Sequence, residues 1–181
     1  MRINVRFAGA GGQGVILASV LLAKGYGLGE KYNISQTQSY GPEARGGACK
    51  AEVVISDEEI DYMKVELADV FVALNQIGFD KYKDQVKENA IVLVNSTLVE
   101  TDNPDHYKIP ATDIAEDMGK PFVVNMVMLG ALTKLLPKLH YDTVFEEIRE
   151  NFAASIAGMN IDAFDKGYEE MAEFLEQENP A

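Results

Sequence analysis

Strand-like and helix-like stretches alternate along this chain from its first residues, and that alternation restricts it to an α/β fold. "INVRFAG" reads as a strand, "GAGGQGV" follows as a glycine-rich turn, and "GVILASVLLAKGYGLG" puts Val15, Leu17, Ala18, Leu21 and Leu22 on one side of a helix. Gly25, Gly27 and Gly29 are expected to end that helix. "NISQTQSYG" reads as a polar second strand. "ACKAEVVIS" reads as a third, with Ala51, Val53 and Ile55 alternating against Lys50, Glu52 and Val54. "ADVFVAL" and "IVLVNS" are apolar runs of the kind buried on both faces of a sheet, and "GFDKYKDQVKENA" between them reads as a helix.

Helical patterns dominate the second half. "ATDIAEDMG" is predicted to be a short helix, "FVV" a short strand or extended entry, and "NMVMLGALTKLL" a helix apolar nearly all round and therefore buried. "DTVFEEIRENFA" opens on a capping-box pair, Thr143 and Glu146, and sets Val144, Ile148 and Phe152 on one face. Ile161, Phe164, Tyr168, Met171 and Leu175 recur at spacings of three and four in the last helix, a core-packing stripe. The expected fold is α/β: one three-layer domain over residues 1–181, with a largely parallel, Rossmann-like sheet flanked by helices.

The net charge of −13 excludes nucleic acid and anionic membrane as partners, because both require a basic face. The charge is uneven. Residues 1–50 carry six basic side chains (Arg2, Arg6, Lys24, Lys31, Arg45, Lys50) against two acidic ones (Glu30, Glu43), so any anionic ligand is expected in that third. No apolar run approaches the roughly eighteen residues of a membrane span, and "MRINVRFAGAGGQG" enters a strand with no cleavage pattern, so the expected compartment is the cytoplasm. Cys49 is the single cysteine, and with only His106 and His140 beside it there is no cluster at metal-ligand spacing; no metal site is expected. Cys49 reads as a small buried strand residue.

Two stretches carry possible chemistry. Gly9, Gly11 and Gly14 fit G-x-G-x-x-G between a strand and a helix, with Gly12 and Gln13 completing the turn, a context in which backbone amides can hold phosphate. A dinucleotide site would also need a carboxylate about twenty residues on, and "NISQTQSYG" has none. A phosphate-binding P-loop would need Lys and Ser or Thr where Val15 and Ile16 stand. The turn either binds an anion or simply allows close backbone approach. The second stretch is "SYGPEARGGACKAEVVIS". Here Ser39 precedes the tight-turn composition Tyr40-Gly41-Pro42-Glu43, Gly46-Gly47 supplies backbone freedom, and Arg45 is the only basic residue between 32 and 49. A guanidinium so placed suits a carboxylate or phosphate; equally, it could brace the loop through Glu43 or the backbone.

"GAGGQGV", then "SYGPEARGGACKAEVVIS", then "ADVFVALNQIGFDKY" and "NMVMLGAL", in this order and over nearly the whole chain, resemble the gamma subunit of the 2-oxoacid:ferredoxin oxidoreductases acting on pyruvate, 2-oxoglutarate or ketoisovalerate. The resemblance implies one component of a complex that decarboxylates a 2-oxoacid, reduces ferredoxin and gives the acyl group to coenzyme A, with 2-oxoglutarate preferred. It further implies that thiamine diphosphate, magnesium and iron-sulfur clusters belong to the complex, on alpha, beta and delta subunits, and that this chain binds no cofactor alone. No catalytic residue is assigned. Gly9, Gly11, Gly12, Gln13 and Gly14, with Ser39, Tyr40, Gly41, Pro42, Glu43, Arg45, Gly46 and Gly47, are expected to form cofactor-binding or subunit-interface loops. Three alternatives remain open: a stand-alone nucleotide-binding protein, a purely structural subunit, and the small subunit of an indolepyruvate oxidoreductase.

Overall fold

A computed structural model describes residues 1–39 and 48–178. Among the described residues are six strands, β1 (Arg2–Gly9), β2 (Asn33–Gln38), β3 (Cys49–Ser56), β4 (Ala68–Ala73), β5 (Val86–Asn95) and β6 (Tyr107–Ile109). Six α-helices accompany them: α1 (Val15–Lys24), α2 (Gln76–Tyr82), α3 (Ala111–Asp117), α4 (Val124–Leu135), α5 (Tyr141–Asn151) and α6 (Ala154–Glu178). The strands form one sheet in the order β2-β3-β1-β4-β5-β6. β1, β4, β5 and β6 pair in parallel, whereas β3 runs antiparallel to both its neighbours, β1 and β2. The α/β expectation is therefore met in a mixed sheet. The reversal of β3 follows from connection length: a parallel return needs a crossover of about a dozen residues or more, usually a helix, and the stretch between Gln38 and Cys49 is too short for one.

The pleat sends alternate side chains to two cores. Val5, Phe7, Val53, Ile55, Val70, Val72 and Leu93 pack with residues of α1, α3, α4, α5 and α6, among them Leu21, Leu22, Leu129, Ile148 and Phe164. The intervening residues Ala8, Phe71, Ala73, Val92 and Val94 pack with Phe79 and Tyr82 of α2. This second layer is thin, completed by the segment after β3, where Val65 meets Val54 and Ala68. Burial on both faces explains why β4 and the end of β5 read as continuous apolar runs.

The thin layer also holds a charge. Arg6, on the α2 side of β1, is 1% exposed. Its Nε donates to Glu52 Oε1 at 2.7 Å, Nη1 to the Gln85 carbonyl at 3.1 Å, and Nη2 to the Val65 carbonyl. Its guanidinium carbon lies 5.3 Å from the centre of the Tyr82 ring, so the ion is paired, hydrogen-bonded and stacked, as a buried charge must be. On the thick side, α4 and α6 touch backbone to backbone. A Cβ on Gly130 would collide with the Phe164 carbonyl oxygen, and one on Gly167 with that of Val127.

Four local expectations are corrected. The helix expected over "GFDKYKDQVKENA" stops at Tyr82, and β5 begins at Val86. The lower half of that strand is exposed at Lys87, Glu88 and Asn89, which gives it the polarity of a helix surface, and Lys87 Nζ meets Asp69 at 2.6 Å. "FVV" is not extended: Pro121–Val123 forms a 3-10 turn leading into α4. The capping box is not made, since the residue preceding α5 is His140; Thr143 sits within the first turn and donates to Glu30 Oε1 at 2.9 Å. Finally, Gly25–Gly29 do not end the first helix but continue it as a π-helical turn, in which the Glu30 N–H donates to the Gly25 carbonyl at 3.1 Å.

Candidate functional site at the carboxyl edge of the sheet

The parallel strands β1, β4, β5 and β6 deliver their carboxyl ends to one edge, the edge where open α/β sheets bind ligands. The glycine turn leaves β1 here. The Gln13 N–H donates to the Ala10 carbonyl at 3.2 Å, and the Ala10 N–H returns a bond to Gln13 Oε1 at 2.7 Å. Gly12 (φ 88°) and Gly14 (φ 74°) lie in the left-handed region that favours glycine. Gly14 is the N-cap of α1, and its carbonyl accepts from the Ala18 N–H at 3.0 Å and from Asn125 Nδ2 at 3.3 Å. Gly9 is closely surrounded: a Cβ there would lie 2.8 Å from Gln13 Oε1 and 2.9 Å from Val15 Cγ2. Gly11 and Gly12 are exposed at the tip.

This turn is closed on itself. Gln13 occupies the Ala10 amide, and Asn125 covers Gly14. The sheet order tells against a dinucleotide as well: beside β1 stands the antiparallel β3, with Cys49 opposite Gly9. The parallel strand that carries the ribose carboxylate in a dinucleotide fold has no counterpart in that place.

Ser39 closes the ladder at the same edge. Its N–H donates to the Lys50 carbonyl at 3.0 Å, and its hydroxyl accepts from the Lys50 N–H at 3.1 Å. Gly9, Cys49 and Ser39 are thus brought together. Tyr40, Gly41, Pro42, Glu43, Arg45, Gly46 and Gly47 lie outside the described residues; the residues that bracket them stand beside the glycine turn.

Sequence reasoning missed three asparagines that knit this edge. Asn75 caps α2, its Oδ1 accepting from the Gly78 N–H at 2.8 Å. Asn95, fully buried, donates through Nδ2 to the Leu74 carbonyl at 3.1 Å and to Thr112 Oγ1 at 2.9 Å, while its Oδ1 accepts from the Thr112 N–H at 3.2 Å. Asn125 ties α4 to α1. A signal was present, since "ALN", "LVN" and "VVN" each place an asparagine directly after an apolar run.

The basic residues of the first third are mostly committed elsewhere. Arg6 is buried as described, Lys50 Nζ meets Glu52 at 3.1 Å, Arg2 donates to Asn4 and to the Tyr62 carbonyl, Lys24 to Asn151 and Lys31 to the Leu28 carbonyl. An open cleft of about 830 Å³ between α2 and the residues after β5 is rimmed by Asp80, Asp84, Glu100 and Asp102 against Lys83, a charge balance unsuited to an anion. His106 lines that cleft. Its Nδ1 lies 2.9 Å from Thr101 Oγ1 and its ring packs edge-on to Phe79; burial, with Lys108 nearby, lowers its pKa below the usual imidazole value. Among the described residues no group of three His, Cys, Asp or Glu side chains could hold a metal ion, and no helix is long and apolar enough to cross a membrane.

The profile of the pyruvate ferredoxin/flavodoxin oxidoreductase family matches residues 4–170. The chain is 48% identical over 175 residues to the 2-oxoglutarate synthase subunit KorC of Methanocaldococcus jannaschii, covering 93% of this chain and 94% of that one. It superposes with a TM-score of 0.86 and 35% identity on the gamma subunit of a keto/oxoacid ferredoxin oxidoreductase from Geobacter sulfurreducens, over 96% of this chain and 98% of that one. The fold recurs, at a TM-score of 0.83 and 24% identity, over 95% of this chain and 31% of a chain of the 2-oxoglutarate:ferredoxin oxidoreductase from Magnetococcus marinus, solved with 2-oxoglutarate, coenzyme A and succinyl-CoA bound. With the family profile covering most of its length and a separate gamma subunit matching it almost end to end, this chain belongs to the pyruvate ferredoxin/flavodoxin oxidoreductase family, as one of its gamma subunits.

Proposed function

We propose that this chain is the gamma subunit of a 2-oxoglutarate:ferredoxin oxidoreductase. The complex would convert 2-oxoglutarate, coenzyme A and two oxidised ferredoxins to succinyl-CoA, carbon dioxide, a proton and two reduced ferredoxins. The observation that carries the substrate assignment is the 48% identity to a 2-oxoglutarate synthase subunit across 93% of the chain. Alpha and beta subunits bind thiamine diphosphate and magnesium, and a delta subunit carries iron-sulfur clusters in the cytoplasm. The division of labour fits the donor chemistry here, because one cysteine cannot ligate a cluster that takes four. The gamma chain contributes its carboxyl edge. The glycine turn and the loop of Ser39 to Gly47 pack on the catalytic subunits, where Arg45 reaches the anionic coenzyme A or 2-oxoacid.

The test is reconstitution with the cognate catalytic and iron-sulfur chains, followed by ferredoxin reduction with each 2-oxoacid. Turnover is expected from the complex with 2-oxoglutarate and coenzyme A, and none from the gamma chain alone. A complex that prefers pyruvate, ketoisovalerate or indolepyruvate would overturn the substrate assignment, and turnover by the isolated chain would overturn the subunit role.

A further inference from the structure

We propose that a basic, apolar groove at the amino edge of the sheet receives the acidic carboxyl-terminal end of α6 from a second copy of this chain. The groove, of about 320 Å³, lies at the edge opposite the candidate site, where the parallel strands β1, β4 and β5 begin. Arg2 opens β1, Leu67 precedes β4 and Lys87 is the second residue of β5; Tyr62, Lys64 and Glu66 line the groove with them. Tyr62 is 47% exposed, Leu67 48%, and Met63, next to Tyr62 in sequence, 58%.

The segment that displays these apolar side chains is fixed from below. The buried Arg6 donates to the Val65 carbonyl, Arg2 donates to the Tyr62 carbonyl, and the Tyr62 hydroxyl donates to Glu66 Oε1 at 2.8 Å. Val65 itself is buried. A surface held in place before a partner arrives lowers the ordering cost of binding.

Charge identifies the occupant. Three cations, Arg2, Lys64 and Lys87, line the groove against one carboxylate, Glu66, the reverse of a chain whose net charge is −13. Lys87 meets Asp69 at 2.6 Å, but Arg2 finds only neutral oxygens, those of the Asn4 side chain and the Tyr62 carbonyl, and Lys64 has no partner among the described residues.

The end of α6 has the opposite imbalance. No basic residue follows Lys166, and Glu173, Glu176 and Glu178 are exposed with no ion-pair partner among the described residues. The last turn holds no cation, although the free carbonyls of a helix carboxyl terminus favour one. Phe174 and Leu175, partly exposed among the glutamates, supply the apolar side of the contact. Each element lacks what the other carries. Used twice about a two-fold axis, groove to helix and helix to groove, the contact closes a dimer. Repulsion between two acidic chains is screened beyond about 8 Å at physiological ionic strength, whereas partly buried pairs are screened much less.

Sedimentation equilibrium of the full chain at about 0.15 M ionic strength tests the contact. The wild type is expected to dimerise. Arg2→Glu/Lys64→Glu and Glu173→Lys/Glu176→Lys should each associate at least about ten-fold more weakly, because each sets like charges against one another. An equimolar mixture of the two variants should recover the dimer, since reversed groove then meets reversed helix and native groove meets native helix. Circular dichroism and Tm check that the variants fold, and Lys64→Glu alone, which breaks no hydrogen bond, replaces the groove pair if that pair unfolds. A monomeric wild type, undiminished association in either reversed pair, or a mixture that stays monomeric would overturn the assignment.

Discussion

The side-chain amide of Asn125 donates to the carbonyl of Gly14 at 3.3 Å, and a Cβ added to Gly14 would collide with that same carboxamide. One contact thus joins the N-cap of α1 to the first turn of α4 and leaves no room for a side chain on the glycine. Its φ of 74° compounds the restriction, because an L-residue pays about 1–2 kcal/mol to adopt the left-handed region.

Gly14→Ala is therefore expected to cost about 1–2 kcal/mol in strain alone, with a further loss as Asn125 is displaced. Urea unfolding should show a lower midpoint at unchanged slope. Gly11→Ala is the control, since Gly11 is exposed and is not among the positive-φ glycines. Equal midpoints for Gly14→Ala and the wild type would mean that the cap can rearrange without penalty.

Arg6 and Glu52 call for a double-mutant cycle. Glu52→Leu alone leaves the guanidinium, 1% exposed, without its carboxylate, and breaking a buried pair in this way typically costs about 3–5 kcal/mol. Replacing both partners with apolar residues, Arg6→Met with Glu52→Leu, should recover most of that loss, because no unpaired charge remains. Equilibrium unfolding of the four proteins gives the coupling; a double variant as unstable as the sum of the singles would show that the two side chains act independently.

Neither residue stood out in the sequence. Arg6 alternates within "INVRFAG" as a solvent-facing strand residue would, and only the sheet order, with β3 beside β1 and a thin α2 layer above, makes its surroundings an interior. The strands themselves were legible because burial on both faces writes continuous apolar runs at β4 and β5. The asparagine bonds at the carboxyl edge were not, since their partners come from segments distant in sequence, as Gly14 and Asn125 do. Boundaries failed where polarity misled: Lys87 to Asn89 look like a helix surface because that end of β5 is exposed. Of the site, the glycine turn was visible as a motif, but its closure by Gln13 required the fold.

Two titrations should separate the layers. The Tyr141 pKa is pushed up to about 12 by burial first and then by the hydrogen bond its hydroxyl donates to Asp165. A raised folded-state value means stability fully present below the unfolded pKa of about 10, lost as pH rises from there towards 12. Tyr141→Phe should flatten that alkaline limb of Tm against pH. His106 is shifted the other way, downward by burial. Its contribution is full above the unfolded value of about 6.5 and falls as pH drops through that value towards the folded pKa, so His106→Gln should flatten the acid limb. Limbs unchanged by the two substitutions would remove these groups from the pH dependence.

Arg45 is the functional test of the loop. It is the only basic residue between 32 and 49, the loop's flanks stand beside the glycine turn, and the other basic residues of the first third are engaged within the domain. If it contacts coenzyme A or the 2-oxoacid, Arg45→Lys keeps the charge but loses the two-pronged donor, and Arg45→Ala loses both, so the defects should be graded. One charge-assisted contact contributes about 1.5–3 kcal/mol, roughly ten- to a hundred-fold in the step that depends on it. The subunits should still associate, and the defect should appear in the concentration dependence on coenzyme A or 2-oxoglutarate. A bracing role predicts the opposite: weaker assembly or a lower Tm, with normal kinetics in the complexes that do form. Normal ligand dependence in an intact Arg45→Ala complex would remove the anion contact and leave the loop a structural part.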